Sequence, residues 1–197
     1  MPPTVVLVTV PHATGQGLSV RTNDRAALRA ADALVQALAA HRDIAVRLLV
    51  GDEARRACDL NRAERCDSPA RFKQTYREAL ARRPALVVDM HSFPASHTWG
   101  ARTAPAVALL YDADYRSLAE RAARALAQRG VAVAVVPGAI DVNYIITEAS
   151  EARVPNVLVE LNESLVDVTT IIDALAAFVA TEVGGSRYVW PPYFTTT

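Results

Sequence analysis

The chain has 197 residues, 51% hydrophobic and 21% charged, with Lys+Arg and Asp+Glu balanced at 21 each. That length and apolar fraction suffice for one domain with a sizeable core. The balanced charge, with no basic stripe or tail, argues against a nucleic-acid partner. The start lacks the charged segment and cleavage pattern of a secretory signal, and no apolar run is long enough to span a membrane. A soluble, cytoplasmic protein with no membrane partner is therefore expected. The basic residues are nearly all arginine, Lys73 being the only lysine. Cys58 and Cys66 are too few for a disulfide framework and are not spaced as a zinc knuckle. Free thiols are the simpler reading, a local disulfide the alternative.

In chain order, strands alternate with helices. Strand 4–10 leads into a polar, glycine-containing loop from His12 to Arg21. A helix follows, with Thr22 or Asn23 as its cap and Ala27, Leu28, Ala31, Leu34, Val35 and Leu38 at helical spacing. Then come a short strand, Ala45–Val50, a loop over Asp59–Pro69, and a helix over Ala70–Arg82 begun after Ser68-Pro69. Strand 85–90 precedes a long loop of small residues, 92–104, and is followed by strand 106–111, helix 114–129 and strand 131–136. Helix 144–153, strand 156–161 and helix 165–182 complete the regular part, and the tail around Trp190 is apolar enough to dock on the body. This alternation predicts an α/β fold, a mostly parallel (mixed) sheet with helices on both faces, and residues 1–197 read as a single catalytic domain.

Three of the apolar runs end on chemically capable residues: Val5–Val10 before Pro11-His12, Leu86–Met90 before His91, and Val157–Val159 before Glu160. Parallel strands would bring such ends to one rim, where α/β sheets gather ligands. Hydrolytic zinc takes three protein ligands from His, Asp and Glu and keeps a fourth position open. His12 and His91 supply the nitrogens. For the third ligand the residues leave Asp24, Asp89 and Asp59 open. Asp24 can equally cap the helix behind it, and Asp89 can orient His91 from behind. His41 and His97 read as solvated or local. Glu160, inside a Val/Leu run, must be paired or face a polar cavity; it is either a general base for water or half of an ion pair with an arginine. Asn61-Arg62 sets an amide donor beside a guanidinium fork, a pairing suited to a carboxylate. Arg102 can hold a developing oxyanion, and Tyr144 offers a phenol near the same rim. Ser92 as a nucleophile lacks the Gly-x-Ser-x-Gly setting that strains a nucleophile elbow.

The set Pro11-His12-Ala13, Asp59-Leu60-Asn61-Arg62, Asp89-Met90-His91-Ser92-Phe93-Pro94, Arg102, Leu110-Tyr111-Asp112 and Glu160-Leu161-Asn162 resembles the N-formylglutamate amidohydrolase family, a relative of the zinc carboxypeptidases. The resemblance implies one zinc ion on His12, Asp24 and His91, Glu160 as base and proton shuttle, Asn61 and Arg62 as a carboxylate clamp, and Arg102 or Tyr144 at the oxyanion. The activity expected is zinc-dependent cleavage of an amide next to a free carboxylate, in an N-acyl amino acid or small peptide. A carboxypeptidase-like peptidase acting on cell-wall peptides and a non-catalytic module for acidic ligands are the alternatives.

Overall fold

A computed structural model describes residues 2–13, 24–51, 59–62, 71–94, 103–138, 143–165 and 167–184. Six strands form one sheet: β1 (Thr4–Val10), β2 (Ile44–Val50), β3 (Leu86–Phe93), β4 (Val107–Tyr111), β5 (Val133–Pro137) and β6 (Asn156–Asn162). Their spatial order is β2-β1-β3-β6-β4-β5. All neighbours run parallel except β4 and β6, which pair antiparallel through Ala108↔Glu160 and Leu110↔Leu158. The expected mixed sheet is thus present, with its single reversal at one junction. The strands form where β-branched residues cluster, and the central ones are apolar on both faces because helices cover both.

Five helices supply that cover: α1 (Arg25–Ala39), α2 (Arg71–Ala81), α3 (Arg116–Ala127), α4 (Tyr144–Glu151) and α5 (Thr169–Gly184). Alternation along β3 sorts its side chains between two cores. Leu86, Val88 and Met90 join the larger core, with Ala27, Ala31, Leu34 and Leu38 of α1, Leu118 and Leu126 of α3, and Ile171, Leu175 and Val179 of α5. Val87 joins the smaller one, with Leu7, Leu60, Phe72, Tyr76 and Leu80 of α2, and Tyr144, Ile145 and Ala149 of α4. The chain leaves β1 toward β2 through α1 on one face and returns past β1 to β3 through α2 on the other. The strand order reverses direction there, so a crevice opens beyond the carboxyl ends of β1 and β3.

Element boundaries differ from expectation where neighbours override local pattern. β3 runs through His91, Ser92 and Phe93 because β6 pairs with it up to Phe93↔Asn162, so His91 lies within the strand and not past its end. The helix expected over 114–129 begins as a 3₁₀ turn, Ala113–Tyr115, with Asp112 accepting from the Asp114 N–H. The last helix starts later, at Thr169, whose N–H is held by Asp167 Oδ1 at 2.8 Å. Thr22 and Asn23, Cys58 and Cys66, His97, Arg102 and the tail around Trp190 lie outside the described residues. Among the described residues, no helix is long and apolar enough to cross a membrane.

Candidate active site

His12 follows β1 by two residues and is buried, 1% exposed. Its position depends on close backbone approach. The Gly51 N–H, just past β2, bonds Val10 O at 2.9 Å, and a Cβ on Gly51 would stand 2.0 Å from Pro11 O and 2.6 Å from Leu60 Cδ1. Only glycine fits there without moving the Pro11-His12 backbone. Neither ring nitrogen of His12 makes a hydrogen bond among the described residues. Nε2 lies 3.3 Å from Asp59 Oδ1.

His91 sits across the crevice, its ring centroid 5.4 Å from that of His12 at an interplanar angle of 67°. It is gripped from both sides. Nδ1 is hydrogen-bonded to Asp24 Oδ2 at 2.8 Å and Nε2 to Asp89 Oδ2 at 3.0 Å. Asp89, on the same face of β3, is itself held by Thr9 Oγ1, which donates to its Oδ1 at 2.6 Å. Burial opposes charge on the imidazole, but the Asp89 and Asp24 carboxylates outweigh it and hold its pKa well above the ordinary histidine value.

Asp24 precedes α1, yet its side chain makes no capping bond. The carboxylate reaches His91 instead. Its backbone N–H bonds His12 O at 3.2 Å, tying the start of α1 to the first histidine. Tertiary contact thus takes the Asp24 carboxylate to His91 and not to the helix end. Glu160 is half-buried on β6 and lies in parallel register with His91. Register partners in a parallel pair share a face, on strands about 4.8 Å apart.

The loop of Asp59, Leu60, Asn61 and Arg62 closes one side. Asp59 Oδ1 accepts from the Asn61 N–H at 3.2 Å, and its Oδ2 lies 3.7 Å from Arg62 Nε. Asp59 is thus a carboxylate behind His12, as Asp89 is behind His91. Asn61 holds the start of α4: its carbonyl accepts from the Tyr144 N–H at 3.0 Å and its Oδ1 from the Ile145 N–H at 3.4 Å. The acceptor end of the amide is committed there.

The structure brings together His12, Asp24, His91, Glu160, Asn61 and Arg62, and it places Tyr144 differently. The expected phenol at the rim is instead a ring packed in the smaller core, 5% exposed and 6.5 Å from the Tyr76 ring, with Lys73 and Arg77 against its face. Helical phase is the reason, since α4 turns that side chain onto α2. Burial and the nearby Glu148 push its pKa up to about 12, so the phenol stays protonated. Sequence reasoning missed Thr9, Gly51 and Lys73. Thr9 alternates with Leu7 toward the Asp89 face, which was a readable signal; the other two depend on long-range approach. Among the described residues, no three His, Cys, Asp or Glu side chains stand as a ready metal cage.

Among solved structures, N-formylglutamate amidohydrolase from Ralstonia eutropha JMP134 superposes with a TM-score of 0.63 at 14% identity, over 95% of this chain and 95% of that one. N-acetylmuramoyl-L-alanine amidase from Clostridium difficile 630 gives 0.59 at 16% identity, over 94% and 97%. A metallo-carboxypeptidase from Burkholderia cenocepacia gives 0.58 at 12% identity, over 93% of this chain and 58% of that one. The chain has a zinc-carboxypeptidase-like fold. No family model matches the sequence, and no curated protein matches it closely enough to be counted. At these identities the likeness is one of fold alone.

Proposed function

We propose that this protein is a zinc-dependent hydrolase that cleaves an amide bond next to a free carboxylate. The observation that carries the reading is the pair of buried histidines in the β1/β3 crevice, each backed by a carboxylate, with Glu160 in register beside one of them. Two features support a zinc ion here, although the donors do not stand as a closed cage among the described residues. The His12 ring nitrogens are buried without a hydrogen bond among the described residues, and two imidazoles with a carboxylate are a donor set zinc accepts. His12, His91 and Asp24 would hold it, and His91 must give up its proton to do so.

When bound, zinc supplies a Lewis acid for the amide carbonyl and lowers the pKa of water. Asp89 keeps the His91 imidazole aimed into the crevice, as outer carboxylates do for histidine ligands, and Asp59 lies 3.3 Å from His12 Nε2. Glu160 takes a proton from the attacking water and returns it to the leaving nitrogen. Arg62 and the Asn61 amide bind the substrate carboxylate and so set the scissile bond against Glu160. Arg102 is assigned to the developing oxyanion, and Tyr144 has no part in the chemistry.

N-acyl amino acids are the first substrate class to test. Small cell-wall peptides are the second, favoured by the near-complete overlap with the N-acetylmuramoyl-L-alanine amidase fold. The test is zinc content per chain after purification, together with hydrolysis of a panel of both classes. One zinc per chain is expected, lost in His91→Ala, while Glu160→Gln keeps the zinc and loses about 10²- to 10⁴-fold in kcat. Full activity in a metal-free preparation overturns the reading.

A further inference from the structure

Lys73 is the chain's only lysine, and α2 presents it inward with Phe72, Tyr76 and Leu80, 8% exposed. Lysine is seldom buried so far unless its ammonium is well partnered. Two partners are visible. Nζ donates to the backbone carbonyl of Arg62, and it lies 4.7 Å from the centroid of the Tyr144 ring, within range of a cation–π contact.

Both partners belong to the framework of the carboxylate clamp. One is Arg62 itself. The other opens α4, whose first two N–H groups are held by Asn61. The ammonium therefore ties the backbone of Arg62 to the helix that Asn61 anchors. Among the described residues the Arg62 side chain has a long contact to Asp59, 3.7 Å, and it is 36% exposed. Residues 59–62 form no strand or helix. Among the described residues the Asp59 carboxylate is a long contact for the guanidinium, and the Lys73 ammonium holds the Arg62 backbone from outside residues 59–62.

We propose that Lys73 is a positioning residue for the Asn61–Arg62 pair. It fixes the Arg62 backbone so that guanidinium and amide meet one substrate carboxylate, and it places a second positive charge behind that carboxylate. The substrate's recognised end is accordingly an anion, and a neutral isostere of it should be rejected. This rests on the clamp assigned under the proposed function.

The experiment uses the full chain and two small probes, N-acetylglycine and N-acetylglycinamide, which differ in the carboxylate. Lysine labelled with ¹³C at Cε gives one side-chain signal, because the chain holds one lysine. In the wild-type protein that signal is expected to shift with N-acetylglycine and to stay fixed with the amide. Ligand-observed titrations then compare Lys73→Met, Lys73→Arg and Arg62→Ala. Lys73→Met should cut the preference for the carboxylate about ten- to hundredfold, as for a lost charge-assisted contact, and Lys73→Arg should restore part of it. Arg62→Ala should abolish it. If Arg62→Ala abolishes the preference while Lys73→Met keeps it in full, Lys73 is structural only and the proposal is overturned. If Arg62→Ala also keeps it, the clamp reading fails and takes this one with it. Should Lys73→Met not fold, the wild-type signal decides: no response to the carboxylate probe refutes the positioning role.

Discussion

On one face of β3 stand Leu86, Val88 and Met90, packed under α1, α3 and α5; on the other stand Asp89 and His91, bonded to Thr9 and Asp24. The strand is buried throughout, so both sets are equally hidden from water. Only their partners differ. The aliphatic set is satisfied by any well-shaped apolar neighbour. Each polar group must find one particular atom or suffer a desolvation cost that no packing offsets. The larger core is therefore tolerant in chemistry and demanding in volume, while the face of the smaller core is the reverse. Buried polar groups that form a connected chain, Thr9 to Asp89 to His91 to Asp24, hold their geometry through directed bonds, and that is where a reaction needs rigidity.

The largest blow to this division should come from the aliphatic side. Leu34 is fully buried in the larger core. Leu34→Ala is expected to lower unfolding free energy by about 2–5 kcal/mol, through lost burial and the cavity left behind. Denaturant melts measure it, and zinc stoichiometry of the folded fraction should not change. A variant that lost zinc and stability together would blur the two faces.

A smaller effect, on the opposite readout, is expected at Asp89→Asn. The side chain keeps its size but loses the charge that orients His91. Zinc affinity should fall about 10- to 100-fold, as for other outer carboxylates, in a competition assay with a chelator. Unchanged affinity would mean that Asp89 does not orient the ring.

The smallest effect belongs to pH. Tyr144 is pushed up to about 12 by burial and by Glu148, and burial shifts Tyr76 in the same direction. An unfolded tyrosine ionises near 10. The stability contributed by keeping these phenols neutral is complete below pH about 10 and is lost as pH rises toward 12. Melts at rising pH, with tyrosinate absorbance alongside, should show a falling midpoint over that interval. Early titration of both rings, before unfolding, would show that the smaller core is open to water.

Much of this was legible beforehand. Alternating apolar runs identify the strands and helices, and the ends of three runs point to His12, His91 and Glu160. What could not be read was direction at the level of a single side chain. Asp24 has the local look of a cap, and only β3, 67 residues away, turns it toward His91. Tyr144 has the local look of a rim phenol, and only the packing of α4 on α2 makes it a core residue. Spacing leaves Asp24, Asp89 and Asp59 open as the third ligand, and in the structure Asp59 lies against His12 while Asp89 and Asp24 both bond His91.

The sequence by itself determined the class of fold, since periods of two and of 3.6 residues are local properties of the chain. It also supplied the inventory of chemistry at the strand ends. The tertiary structure alone decided which carboxylate meets which imidazole, that Gly51 lets Pro11 pass, and that Lys73 lies beneath Arg62. Each of these is a contact between segments distant in sequence, specified by ångström-scale packing that no local pattern encodes.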